Sequence, residues 1–147
     1  MKRTIYTILA AILLTATGCE KTADRLIDRI VGEWHYTAQE SGITEDVWLS
    51  FSTDGTFEMY QKVGEGAHWY AAGEYSLDTD EGTLSGVYSD RYPWKYDYRI
   101  SFEGNTLVMT AVQLETYSVT YVRESIPDSV RDRSLPLTKA GGVELFL

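Results

Sequence analysis

V-W-L-S-F-S-T-D-G-T-F-E-M-Y, residues 47–60, is the stretch from which the fold can be read. Val47, Leu49 and Phe51 alternate with Trp48 and Ser50. After Asp54-Gly55, Phe57 and Met59 alternate with Glu58 and Tyr60. A side-chain period of two belongs to a strand with one buried face, and an Asp-Gly pair between two such runs marks a tight hairpin.

The same rhythm continues outward from Gly32 to Glu124. Gly64-Glu65-Gly66 turns the chain, and Trp69, Ala71, Gly73, Tyr75 and Leu77 then share one face. Asp78 to Gly82 is a polar turn before a strand from Thr83 to Tyr88. Tyr96, Tyr98, Ile100 and Phe102 alternate with polar neighbours. Glu103-Gly104-Asn105 turns again, before Leu107, Met109 and Ala111 and then Tyr117, Val119 and Tyr121. This gives an all-β domain, an antiparallel up-and-down meander of about eight strands joined by short connections. Its two edge strands must be hidden, and closing the sheet into a small barrel hides them. Inward parity falls on Trp34, Phe51, Phe57, Tyr75, Tyr98, Phe102 and Tyr121.

Before the meander, Ala23, Leu26, Ile27, Ile30 and Val31 stand at helical spacing opposite Asp24, Arg25, Asp28 and Arg29, with Thr22 as an N-cap. A short helix is expected there, with its apolar side on the domain. After it, Pro127 can open a helical turn through Arg133. The apolar Val143-Glu144-Leu145-Phe146-Leu147 is expected to add a strand or cover one end of the sheet, since such a run left in water invites aggregation.

The first residues address the chain. Met1-Lys2-Arg3 is a positive n-region, Ile5 to Ala16 is apolar, and Ala16-Thr17-Gly18-Cys19 follows, the anatomy of a secretory signal peptide. The small residues before Cys19 resemble the lipobox of bacterial lipoproteins, with Ala16 standing where that pattern ordinarily has Leu. The resemblance implies a lipid on Cys19, the palmitoylated type of anchor, and a place in the cell envelope of a Gram-negative bacterium, on the outer membrane in preference to the inner. Four segments result: 1–18 signal peptide; 19–31 lipidated cysteine, tether and short helix; 32–124 barrel; 125–147 C-terminal extension. Cys19 is the one cysteine of the 147 residues, so no disulfide within a chain can form and the core must hold the fold.

Composition narrows the partners. Thirteen basic residues stand against 22 acidic, a net charge of −9 that loss of Lys2 and Arg3 makes more negative. Such a surface repels phosphate backbones, so no nucleic-acid partner is expected.

Gly32-Glu33-Trp34, opening the first strand after a short helix, resembles the G-x-W motif of the lipocalins. The wider rhythm is similar to small lipocalin-like domains of envelope lipoproteins: Phe51-x-x-Asp54-Gly55-Thr56-Phe57, Gly73-x-Tyr75 and Tyr121-Val122-Arg123. The resemblance implies a calycin-type barrel whose closed end is plugged by Trp34, with Arg123 across its ring beside Gly32. It departs from the family in length, and whether the barrel holds a cavity stays open at this level.

Chemistry has few candidates. His35 and His68 are expected on outer strand faces. A metal site built on them would need Glu33, Glu58 or Glu74, and no ligand spacing supports one. No nucleophile elbow or phosphate loop is present, so no catalytic residue, metal or cofactor is expected and the protein is not read as an enzyme. Of 11 Tyr, 4 Trp and 4 Phe, all but Tyr6 and Phe146 lie from Trp34 to Tyr121. Trp48, Tyr60 and Tyr70 have outward parity, either as binding platforms or as side chains packed across the strands. In Tyr88-Ser-Asp-Arg-Tyr92-Pro-Trp94-Lys-Tyr96, Pro93 interrupts the strand and places Tyr92 and Trp94 at a rim. The expected ligand-binding residues are Trp69, Tyr88, Tyr92, Trp94 and Tyr96, serving non-enzymatic binding of a small apolar or glycan-like molecule. The alternative is an accessory interaction module with a solid barrel that grips an envelope protein.

Overall fold

The computed structural model describes residues 26–137 and 144–147. Eight strands run in sequence order: β1 (Gly32–Glu40), β2 (Ile43–Phe51), β3 (Thr56–Val63), β4 (Trp69–Asp78), β5 (Thr83–Tyr88), β6 (Tyr98–Glu103), β7 (Thr106–Ala111) and β8 (Ser118–Arg123). Each pairs antiparallel with the next, and β1 pairs with β8, so the meander closes into an eight-stranded barrel. The Asp54-Gly55 hairpin forms as its sequence requires, with Asp54 Oδ1 accepting from the Thr56 amide at 3.0 Å and its hydroxyl at 2.6 Å. The register then pairs Phe51 with Phe57 and Leu49 with Met59, which puts the apolar parity of both strands inside. Of the aromatics with inward parity, Trp34, Phe51, Phe57, Tyr98 and Tyr121 are buried, and Tyr75 and Phe102 are half-buried.

One end of the barrel is shut by the chain that leads into it. Residues 26–30 are helical (α1), with Ile30 fully buried and Leu26 and Val31 half-buried. Ile27 faces solvent, so the helix docks on a narrower stripe than its spacing suggests. Trp34 donates from Nε1 to the Ile30 carbonyl at 2.9 Å, and the Arg123 guanidinium lies 4.1 Å over its ring. That guanidinium also donates to the carbonyls of Val31 (3.0 Å) and Arg29 (2.6 Å). A cation thus satisfies carbonyls at the helix C-terminus, where the helix presents its negative end. Gly32 is needed beside it: its φ is +130°, and a Cβ there would overlap Arg123 Nη1. Thr22, Ala23, Cys19 and the leader lie outside the described residues. Among the described residues no helix is long and apolar enough to cross a membrane.

The C-terminal extension wraps the barrel and then enters it. A second helix, α2 (Asp128–Arg133), lies on the outer face of β2–β4, where Ile126 and Val130 pack with Trp48, Tyr60 and Tyr70. Trp48 pairs with Tyr60, and Tyr60 with Tyr70, across the strands. These three aromatics are therefore packed side chains and do not form an exposed platform. Arg131 fixes the helix through Glu58 at 2.8 Å and Glu33 at 2.5 Å. Burial works against its charge, but these two carboxylates outweigh burial and hold the proton on. Next, β9 (Leu135–Pro136) pairs parallel with β4 at Trp69 and Tyr70, along an edge that β5 is too short to reach. The added strand thus comes from residues 135–136. Residues 144–147 instead run into the interior, with Leu145 and Leu147 buried in the main core.

Candidate functional site

The end opposite Trp34 is open. There β1 meets β2, β3 meets β4, β5 meets β6 and β7 meets β8, and the mouth leads to a cavity of about 840 Å³. Its position follows from the closing seam. The β1–β8 ladder holds Trp34 against Arg123 and His35 against Val122; beyond it, Tyr36 on one strand and Ser118 and Val119 on the other line the cavity. The walls are mixed. Trp69, Tyr36, Tyr96 and Tyr117 supply aromatic surface, Glu45 and Lys95 supply charge, and the exposed Val63 and Leu114 extend the apolar lining to the rim.

Polar groups at the mouth are held in pairs. Tyr36 donates its hydroxyl to Glu45 at 3.3 Å, and burial followed by that carboxylate pushes the phenol up from its ordinary range. Lys95 donates to Glu144 at 2.7 Å, which holds its proton on more firmly. Burial, with the Glu45 charge behind it, also raises Tyr117. At neutral pH Tyr36 and Tyr117 are therefore neutral phenols, each an apolar face with a hydroxyl donor.

On its inner side the cavity is bounded by residues 144–146. Gln61 is 2% exposed and points inward from β3. Its amide donates to the Glu144 carbonyl at 2.8 Å and accepts from the Phe146 amide at 3.0 Å. Tyr98 donates to the Phe146 carbonyl at 3.2 Å, and Tyr88 to the main-chain oxygen of Leu147 at 2.6 Å.

The residues expected to bind a ligand separate into three groups. Trp69 and Tyr96 line the cavity. Tyr88 is buried beneath it, its hydroxyl engaged by Leu147 and raised well above its usual range by burial. Trp94 and Tyr92 do not line the cavity. Trp94 is 6% exposed and sits in the core, edge-on to Phe57 at 5.0 Å and flat against Gly86, where a Cβ would overlap the indole. The absent side chain at Gly86 makes the room, and a backbone bond from the Trp94 amide to the Gly86 carbonyl at 2.9 Å fixes the depth. Tyr92 is 51% exposed and outside the cavity lining.

Tyr36, Gln61, Glu45 and Tyr117 were missed. Gln61 and Tyr36 carried a legible signal: each continues an inward parity, Gln61 after Phe57 and Met59, and Tyr36 after Trp34.

A second polar cluster lies on the outer face. Asp46 accepts from His35 Nε2 at 2.7 Å and from His68 Nε2 at 2.8 Å, and His35 Nδ1 reaches Glu124 at 2.8 Å. The His35 ring stacks on Trp48 with centroids 3.6 Å apart. Burial raises the Asp46 carboxyl, but the two imidazole hydrogen bonds outweigh it and leave the group below the usual carboxylate range. Both histidines thus face a carboxylate, although the partner is Asp46 and neither lines the cavity. Among the described residues no group of three or more His, Cys, Asp or Glu is placed to hold a metal ion. Comparison with protein-family models gives no match, and comparison with curated protein sequences gives none.

Proposed function

We propose that this chain is a lipid-anchored envelope protein whose barrel binds a small, largely apolar or glycan-like molecule without transforming it. The observation that carries the reading is the open cavity of about 840 Å³, walled by Trp69, Tyr36, Tyr96 and Tyr117. A concave site of this size, with aromatic walls and a few placed polar groups, suits a small organic ligand. Exposed Ile43, Val63 and Leu114 around the mouth favour an apolar approach. The signal-peptide and lipobox pattern before Cys19 supports the anchor.

The competing reading, a solid barrel that grips another envelope protein, draws on the filled inner half. It would use the aromatic rim as a flat exposed patch, and of those rim residues Tyr88 and Trp94 are buried. Native mass spectrometry of the protein taken gently from its host decides between them. The expected result is a co-purifying small molecule that is lost in Trp69→Ala or Tyr96→Ala. A ligand-free mass with a retained protein partner overturns the ligand reading.

A further inference from the structure

Residues 144–147 are held in the manner of a bound peptide. They take no part in any strand of the sheet, and barrel side chains contact their main chain directly. Gln61 reads one carbonyl and one amide, Tyr98 and Tyr88 read two further main-chain oxygens, and Leu145 and Leu147 fill apolar space between the aromatics. Lys95 secures the outer end through Glu144. Because main-chain atoms carry most of the hydrogen bonding, the site selects an extended backbone with apolar side chains at alternate positions.

The same residues form the floor of the cavity: Glu144, Leu145 and Phe146 all line it. We propose that residues 144–147 are an exchangeable resident peptide, occupying the inner half of the barrel and closing it to other ligands until they leave. This rests on the ligand-binding reading above and adds that depth in the barrel is gated by the chain's own segment.

The site can take another occupant of the same chemistry. The inward Gln61 would be an uncompensated polar group in an interior filled by hydrocarbon, so the site suits a ligand that brings both a donor and an acceptor. The outer lock, Lys95–Glu144, is exposed on both sides and so holds weakly.

The test uses the neutral apolar fluorophore N-phenyl-1-naphthylamine with the purified chain and with Leu145→Asp/Leu147→Asp, whose carboxylates cannot stay in the core. Since a ligand's apparent affinity falls by the fraction of molecules with the site vacant, the variant should bind about tenfold tighter or better. The synthetic peptide acetyl-Glu-Leu-Phe-Leu, matching residues 144–147, should displace the fluorophore from the variant. Equal affinity in both chains without competition by the peptide overturns the exchangeable segment and leaves the ligand reading standing. Binding by neither chain overturns both.

Should the variant fail to fold, hydrogen exchange in the unaltered chain decides. Saturating fluorophore should speed exchange of the Phe146 amide while the Leu49 amide stays protected. Exchange of Phe146 in step with Leu49, unmoved by fluorophore, overturns the proposal.

Discussion

Replacing Gly32 with alanine and Arg123 with methionine, singly and together, should give strongly non-additive losses of stability. Methionine can still cover the Trp34 indole but loses two charge-assisted hydrogen bonds and the cation–π contact. Arg123 is exposed, so each hydrogen bond is worth about 0.5–1 kcal/mol and the ring contact about as much, roughly 2 kcal/mol for Arg123→Met. Gly32→Ala strains a backbone at φ +130°, at about 2 kcal/mol, and its Cβ also drives the guanidinium off the indole. The single glycine variant should therefore lose about 4 kcal/mol, strain and clasp together. In the double variant the clasp can be lost just once, so the total stays near 4 kcal/mol where independent effects would give about 6, a coupling of about 2 kcal/mol. Equilibrium urea unfolding followed by tryptophan fluorescence measures this, with slopes checked for constancy. Additivity within about 0.5 kcal/mol would refute the reasoning, because it would mean that the methyl group and the guanidinium do not compete for one space.

Two other perturbations test the interior and the outer face. Gly86→Ala should expel Trp94 from the core, red-shift its emission and cost about 3–5 kcal/mol; an unchanged spectrum and midpoint would show that the core accommodates the methyl group. Asp46 has a lowered native pKa, so its contribution is full above the unfolded value of about 3.9 and is lost as pH falls through the native one. The stability gap between the native chain and Asp46→Ala, about 1–2 kcal/mol at pH 7, should therefore close in strong acid, and a gap independent of pH would place the effect elsewhere.

The barrel could be read from residues 47–60 because period-two alternation states which face is buried, and short turns leave neighbouring strands little choice of partner. Parity does not say what covers the other face. Trp48, Tyr60 and Tyr70 faced outward as read, yet α2 covers them, and nothing local in β2–β4 encodes a helix from Asp128 onward. Trp94 was misplaced because Pro93 ends the regular alternation, and parity carries no information until the chain settles into β6. Its place depends on Gly86, on the neighbouring strand. Likewise the apolar character of residues 143–147 announced burial but not a destination. Gln61 supplied the missing clue, a polar side chain in an inward series, and its meaning appears once its partners Glu144 and Phe146 are known. The Asp46 cluster needed register, since it joins β1, β2, the residue after β8 and the loop before β4.

The β4 edge beside Trp69 has a consequence for how the molecule comes into being. A ribosome makes the chain from its first residue, yet the pairings that finish the barrel join Trp34 to Arg123 and Trp69 to Leu135. Until Leu135 has emerged, the sheet keeps a bare row of amides and carbonyls next to Trp48, Tyr60 and Tyr70 with no helix above them. Contacts this distant in sequence form slowly. The unfinished chain is thus more adhesive until residue 135 has been made, and it needs shielding for that interval.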